Sequence, residues 1–257
     1  MYAPLNLKNY KKADSKKQCM KEWINCQVSE VINETHDTNT LRLELEEPMP
    51  FIAGQFVMVG FREGKLKDDI KAARAFSISS STANKSRIDI TVREFSQGLV
   101  SPELMRCKQG AKLKVRGPYG SFNYSPKSEE DVVLIGAGSG VAPLIGILKE
   151  INEFRPRTNT TFIYSDKTEK DIIAKQFINS LSLNNAKKII TLTRENGNNG
   201  WKGEYGRIDE TMINKYIEDI RNKLFYICGP PEMVNNIADI LKRKGVNEGK
   251  IKTEKYE

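Results

Sequence analysis

The stretch Val132-Val133-Leu134-Ile135-Gly136-Ala137-Gly138-Ser139-Gly140-Val141-Ala142-Pro143 sets the fold class of this chain. Its first four residues have the length and β-branched content of a buried strand, the spaced glycines mark a tight turn, and the apolar run that follows opens a helix. Glycines in such a turn let the backbone approach a pyrophosphate, and the helix N-terminus beyond offers free N–H groups and the positive end of a dipole. A plainer reading stands beside it: the glycines serve only close packing of the helix on the strand. Pro143 occupies the place where an ordinary dinucleotide fingerprint has its third glycine.

Downstream of the loop, apolar runs at 161–164, 189–193, 225–228 and 251–256 alternate with helical segments. Strands separated by helices imply a parallel sheet covered on both faces. One helix is expected to open at Thr168-Glu169-Lys170-Asp171, a capping-box pattern with Asp in place of Glu. Residues 196–200 read as a loop. Upstream the rhythm differs. Leu41, Leu43 and Leu45, then Phe56 and Met58, then Ile88, Ile90 and Val92, then Leu113 and Val115 recur with period two. With runs near 24–31 and 75–79 they predict about six antiparallel strands, few enough to close as a small barrel. A single helix interrupts them at Ser101-Pro102-Glu103, where Ser101 reads as the cap, Pro102 as the first helical residue and Glu103 as a first-turn acid. Polar composition around 126–130 puts a boundary near 127. The expected organisation is a basic tail over 1–22, an antiparallel β-barrel domain over 23–126 and an α/β parallel-sheet domain over 127–257.

Charge and composition narrow the function classes. Lys and Arg number 41 against 33 Asp and Glu, a formal charge of +8 over 257 residues. Half of that excess lies in the leading segment, where Lys8, Lys11, Lys12, Lys16, Lys17 and Lys21 face only Asp14 and Glu22. Such an arm suits an acidic protein, an anionic lipid surface or nucleic acid, and it equally suits a solvated tail. The chain lacks the aromatic-basic motifs of nucleic-acid readers, so no nucleic-acid partner is expected. The longest uncharged stretch, 132–148, is glycine-broken and shorter than the ~20 apolar residues of a membrane span, and the lysine-rich start has no signal-peptide core. A cytoplasmic protein without a membrane span is therefore expected. Cys19, Cys26, Cys107 and Cys228 are scattered with no metal-ligand spacing, and His36 is the only histidine. Neither a histidine-based triad nor a zinc or iron-sulfur site is expected. An iron-sulfur or haem carrier must be another chain.

Further motifs stand in order along the chain: Gly54-Gln55-Phe56, Arg74-Ala75-Phe76-Ser77, Gly98-Leu99-Val100-Ser101, Gly117-Pro118-Tyr119-Gly120, the glycine loop ending in Ala142-Pro143, Cys228-Gly229-Pro230-Pro231 and Glu254-Lys255-Tyr256. Together they resemble the ferredoxin-NADP reductase superfamily. The resemblance implies a flavin-binding barrel followed by a nucleotide-binding sheet, with FAD and nicotinamide meeting between them. It implies that Arg74 pairs with the FAD pyrophosphate, Phe76 lies against the isoalloxazine ring and Ser77 reaches flavin N5. Val92, Gly98, Leu99, Val100, Ser101 and Gly117 would complete the FAD site, with Tyr256 covering the ring. Gly138, Ser139, Gly140, Pro143, Gly229 and Pro230 would hold the coenzyme. Thr193-Arg194-Glu195 resembles the segment that grips the 2′-phosphate of NADPH, with NADH as the other possibility, and Lys202-Gly203-Glu204-Tyr205 echoes the next family segment. In Tyr164-Ser165-Asp166-Lys167 the family's usual Gly and Arg are replaced by Ser165 and Lys167. Ser77, Cys228 and Glu254 would form the catalytic group. The implied activity is hydride transfer from NAD(P)H to FAD, then electron transfer to a separate acceptor, such as an acidic ferredoxin or another iron-sulfur or haem protein. A flavin reductase without a protein acceptor, or an electron-routing or regulatory subunit of a larger complex, are the alternatives.

Overall fold

The computed structural model describes residues 22–62, 70–124, 130–155, 157–181, 185–195 and 200–256. The lysine-rich start up to residue 21, the boundary near 127 and the loop at 196–199 lie outside the described residues.

The period-two runs form one antiparallel sheet. Its strands are β1 (Ile24–Thr35), β2 (Thr38–Leu45), β3 (Phe56–Arg62), β4 (Ile70–Ser77), β5 (Arg87–Arg93) and β6 (Lys112–Tyr119), in the order β4-β3-β6-β1-β2-β5. An isolated bridge between Ile78 and Ile90 brings the two edges together, so the sheet curls into a barrel. Alternation places Val28, Leu41, Leu43, Val57, Val59, Ile88, Ile90, Val92 and Val115 inside, all fully buried in one cluster. The short helix α1 (Ser101–Met105) follows β5, but Val100 and not Ser101 is its N-cap, and no side chain caps it. Ser101 Oγ instead accepts the N–H of Phe95 at 3.0 Å, which tightens the loop before the helix and leaves Pro102 in its first turn.

The second sheet contains β7 (Val132–Ala137), β8 (Thr160–Asp166), β9 (Ala186–Leu192), β10 (Glu204–Tyr205), β11 (Leu224–Gly229) and β12 (Ile251–Lys255), in the order β10-β9-β8-β7-β11-β12. Every neighbouring pair is parallel. On one face Val132 and Leu134 pack against α2 (Val141–Phe154) and α3 (Lys175–Ser180); on the other Val133 and Ile135 pack against α4 (Glu210–Tyr216) and α5 (Pro231–Arg243). This burial on both faces is why β7 reads as an unbroken apolar run. The chain winds outward from β7 through β8, β9 and β10, then returns to place β11 on the other side of β7. The carboxyl ends of β7 and β11 thus flank a topological switch point, the place where open sheets of this kind take ligands.

The capping box at Thr168 forms, with Asp171 accepting from both the Thr168 N–H (3.0 Å) and its hydroxyl (2.6 Å). It caps only one 3-10 turn, Glu169–Asp171, because Ile172 is extended and Ala174 takes a left-handed φ of 54° before α3 starts. The two-residue β10 is too short to leave a periodic signal.

The sheets are joined along α2. At Gly146 a Cβ would lie 2.5 Å from the carbonyl oxygen of Ile78, so the helix backbone rests directly on the end of the barrel. Around that contact Glu150 accepts from the N–H (2.8 Å) and hydroxyl (2.9 Å) of Thr82. Lys149 and Arg42 both reach buried Asp89, at 3.4 and 3.0 Å.

Candidate active site between the two sheets

Four of the residues singled out from the sequence converge where β4, β11 and β12 end. Ser77, the last residue of β4, is 3% exposed, and its hydroxyl shares a hydrogen bond with the phenol of Tyr256. Tyr256 follows β12 and is fixed by its N–H, which donates to the Gly229 carbonyl at 2.9 Å. Cys228 and Glu254 are register partners on β11 and β12, so both lie immediately behind that pair.

The electrostatics are those of a site kept nearly neutral. Burial pushes the Cys228 thiol up, with Glu254 adding to the effect. Burial also holds the Tyr256 phenol well above its usual range, helped by Cys228 and Glu254. Glu254 is raised by burial to about 7, and its Oε2 is buried without a hydrogen-bond partner. Such an atom costs stability unless something else supplies a donor.

The backbone around the switch point is equally specific. A Cβ on Gly140 would come within 2.6 Å of Gly229, and Gly138 has φ +54°, so the loop after β7 abuts the loop after β11 with no room for side chains. Ser139 is half-buried, and Pro143 is buried within α2. Pro230 is exposed as the N-cap of α5.

The remaining positions fall into two further groups. In the barrel, Arg74 is exposed and donates to the Ala73 carbonyl at 3.3 Å, while Phe76 packs partly against the core. Leu99 is 74% exposed, beside Gly98, whose N–H donates to the Phe95 carbonyl at 2.7 Å. Val92 and Val100 are buried in the barrel core, so only their backbone could face a ligand, and Gly117 is buried against Val57. Thr193 and Arg194 lie apart from the crevice at the carboxyl end of β9, both exposed, with their N–H groups donating to the carbonyls of Asp166 (2.9 Å) and Lys167 (2.8 Å). Tyr205 is nearby on β10, its hydroxyl donating to the Trp201 carbonyl at 3.2 Å.

Two pairs were not legible in the sequence. Tyr164 donates to Asp166 at 2.8 Å beneath the glycine loop, and burial raises both groups. Their i, i+2 spacing at a strand end was the available signal. Arg93 Nε donates to Asp37 at 2.8 Å, and the Arg93 guanidinium reaches the neighbourhood of Gly138. That pair is separated by 56 positions and left no local pattern.

The residues present fit a flavin and a nicotinamide nucleotide: a buried carboxylate oxygen without a partner lies on the strand that leads to Tyr256, and the glycine loops after β7 and β11 meet with no side chain between their backbones. Comparison with known proteins agrees. Residues 25–124 match the family model of an oxidoreductase FAD-binding domain, and residues 134–239 that of an oxidoreductase NAD-binding domain. Among curated proteins, NADH-cytochrome b5 reductase 2 of Mycosarcoma maydis is 27% identical over 240 residues, covering 90% of this chain and 68% of that relative. NADH-cytochrome b5 reductase 1 of Aspergillus terreus is 26% identical, covering 89% and 80%. The fold also matches the FAD/NAD binding domain of the nitric oxide dioxygenase of Vibrio cholerae, with TM-score 0.79, 21% identity and coverage of 92% and 99%. A ferredoxin NADP+ reductase from Neisseria gonorrhoeae, solved with FAD and NADP, gives TM-score 0.76, 23% identity and coverage of 91% and 98%.

The barrel, the doubly covered parallel sheet and the crevice between them define an oxidoreductase enzyme that binds FAD and a pyridine nucleotide and passes electrons to an acceptor. Both halves match in sequence order. Residues 25–124 and 134–239 thus belong to the oxidoreductase FAD-binding and NAD-binding domain families, and the chain has the two-domain fold of the ferredoxin-NADP reductases. Among the described residues no helix is long and apolar enough to cross a membrane.

Proposed function

We propose that this chain oxidises NADPH in preference to NADH and delivers the electrons to a separate protein carrying an iron-sulfur cluster or a haem. The observation that carries the reading is the Ser77–Tyr256 hydrogen bond, which joins the last residue of β4 to the end of the parallel sheet with Cys228 and Glu254 directly behind it. The names of the relatives, cytochrome b5 reductases, and of the structural neighbour, a ferredoxin NADP+ reductase, support a protein acceptor.

In this reading FAD is held by residues 23–126 and the coenzyme by residues 127–257. Bound FAD supplies the chemistry of accepting two electrons as a hydride and releasing them singly. Everything else is positioning by the chain's own residues. Arg74, exposed and lacking a carboxylate partner among the described residues, pairs with the FAD pyrophosphate; Phe76 lies against the ring, and Val92, Gly98, Leu99, Val100, Ser101 and Gly117 complete the site. Tyr256 would cover the flavin, and its displacement by nicotinamide would free the Ser77 hydroxyl that it now holds, for the flavin. The unpartnered Glu254 oxygen accepts from the nicotinamide carboxamide, and the short Cys228 side chain leaves room beside it. Gly138, Ser139, Gly140, Pro143, Gly229 and Pro230 hold the coenzyme backbone. Thr193 and Arg194 take the 2′-phosphate, an arginine contact available only with NADPH, and Tyr205 borders the same end. Anaerobic titration of the FAD-loaded protein with each coenzyme tests this. Loss of the oxidised-flavin absorbance at lower NADPH than NADH is expected; a flavin unchanged by either coenzyme would reject the reading.

A further inference from the structure

The tip of the barrel's first hairpin is bonded to the nucleotide-binding half, and the chemistry proposed above does not use it. Glu34, near the end of β1, accepts the Thr40 hydroxyl at 2.8 Å on one carboxylate oxygen. On the other it accepts the backbone N–H of Ala174 at 2.9 Å, across 140 positions of sequence. Two residues along, His36 Nδ1 lies 3.7 Å from Asp171, and Asp37 holds Arg93 at 2.8 Å. The hairpin therefore touches segment 166–174 at more than one point.

The Thr168–Asp171 capping box and the buried Ile172 and Ile173 anchor the middle of that segment, and its last residue, Ala174, is held from the barrel. Between β8 and α3 its only regular structure is the single turn Glu169–Asp171, and Ala174 sits at φ 54°, a conformation that non-glycine residues keep only when surrounding contacts hold it. Its other side carries Thr193 and Arg194, whose N–H groups end on the carbonyls of Asp166 and Lys167. A continuous run of chain and hydrogen bonds thus links a barrel carboxylate to the two side chains placed at the 2′-phosphate.

We propose that Glu34 is a positioning residue for the adenosine end of the coenzyme: by gripping Ala174 it holds segment 166–174, and with it the β9 end that presents Thr193 and Arg194. The proposal rests on the coenzyme reading above. It assigns the hairpin a task distinct from the α2 contact, where Gly146 meets Ile78 and Glu150 meets Thr82. Removing a charged acceptor from a partly buried N–H leaves that N–H unpaired, so the segment loses its fixed pose.

The test compares Glu34→Ala with Glu34→Gln, which keeps an acceptor for Ala174, by calorimetric binding of adenosine 2′,5′-bisphosphate and of 5′-AMP to the FAD-loaded proteins. Glu34→Ala should weaken adenosine 2′,5′-bisphosphate about tenfold and 5′-AMP, which has no 2′-phosphate, by less, while Glu34→Gln stays within about twofold of the parent for both. Flavin reduction by dihydronicotinamide mononucleotide, which has no adenosine half, should be unchanged in both. If Glu34→Ala fails to retain FAD, Glu34→Asp, too short to reach both partners, takes its place with the same expectation. Parent-like binding by the variant, or equal slowing with the truncated donor, would overturn the proposal. A parent that binds neither adenosine nucleotide would reject the coenzyme reading itself, and the proposal with it.

Discussion

Along α2 the parallel sheet meets the barrel with its polar groups matched: Glu150 takes both donors of Thr82, and Lys149 and Arg42 share Asp89. At the crevice, a short distance along the same boundary, Glu254 keeps a buried oxygen without a partner, and Tyr256 is tied to Ser77 by one shared hydrogen bond. Both contacts bury polar atoms, yet only the first satisfies them within the chain. A purely structural joint gains from full pairing, whereas a joint that admits a ligand leaves pairing for the ligand to complete. The α2 joint fixes where the sheets stand, and the crevice uses that fixed geometry.

The largest expected effect comes from breaking the closed joint. Gly146→Val places side-chain atoms against the Ile78 backbone, which cannot give way as a flexible side chain would. Overpacking of this kind should cost about 2–3 kcal/mol in urea unfolding and lower the retained FAD. Unchanged stability would mean that α2 does not set the position of the sheets.

Arg194→Ala leaves both joints intact and removes the contact assigned to the 2′-phosphate. Loss of a charge-assisted contact of ~1.5–3 kcal/mol should lower the NADPH:NADH ratio of kcat/KM roughly ten- to a hundredfold. An unchanged ratio would place coenzyme choice elsewhere.

Glu254 gives the open joint a pH signature. Below its ordinary value of 4.5 the carboxyl is protonated in the folded and unfolded chain alike and carries no penalty. As pH rises to about 7 only the unfolded chain ionises freely, so folding loses stability across that window, and above it the loss is complete. Glu254→Gln should therefore gain on the parent between pH 4.5 and 8, by about 1–2 kcal/mol once partial exposure is discounted. Thermal melts at both pH values check this; a constant gap would remove the buried charge from the account. Smaller again is Tyr256→Ala, which removes the side chain that nicotinamide displaces. It should tighten coenzyme binding by ~0.5–1.5 kcal/mol, up to about tenfold, and unchanged affinity in the same titration would take Tyr256 out of the site.

The sequence carried the parts of this molecule that local chemistry specifies. Period-two leucines and valines marked the barrel strands, and the apolar run at Val132 with the glycines after it marked the switch-point strand and loop. Ser77, Cys228, Glu254 and Tyr256 were named from motifs, and the structure brings them together. Local reasoning failed where a group had a better tertiary partner. Ser101 reads as a cap but turns to the Phe95 N–H, and the Thr168 box forms without a helix behind it because Ala174 is turned toward Glu34. Val92, assigned to the FAD site from the resemblance, has its side chain in the barrel core, as its place in the period-two run of β5 requires. No local pattern could signal the bond between Glu34 and Ala174.

The most direct test of the crevice is the rate at which saturating NADPH reduces the FAD-loaded chain, measured by rapid anaerobic mixing for the parent and Ser77→Ala. The parent should lose its oxidised-flavin absorbance in a single coenzyme-dependent phase. Ser77→Ala should retain FAD and react about tenfold more slowly, the cost of one hydrogen bond at the reacting atom. A variant rate within about twofold of the parent would contradict the placement of the chemistry between Ser77 and the ends of β11 and β12.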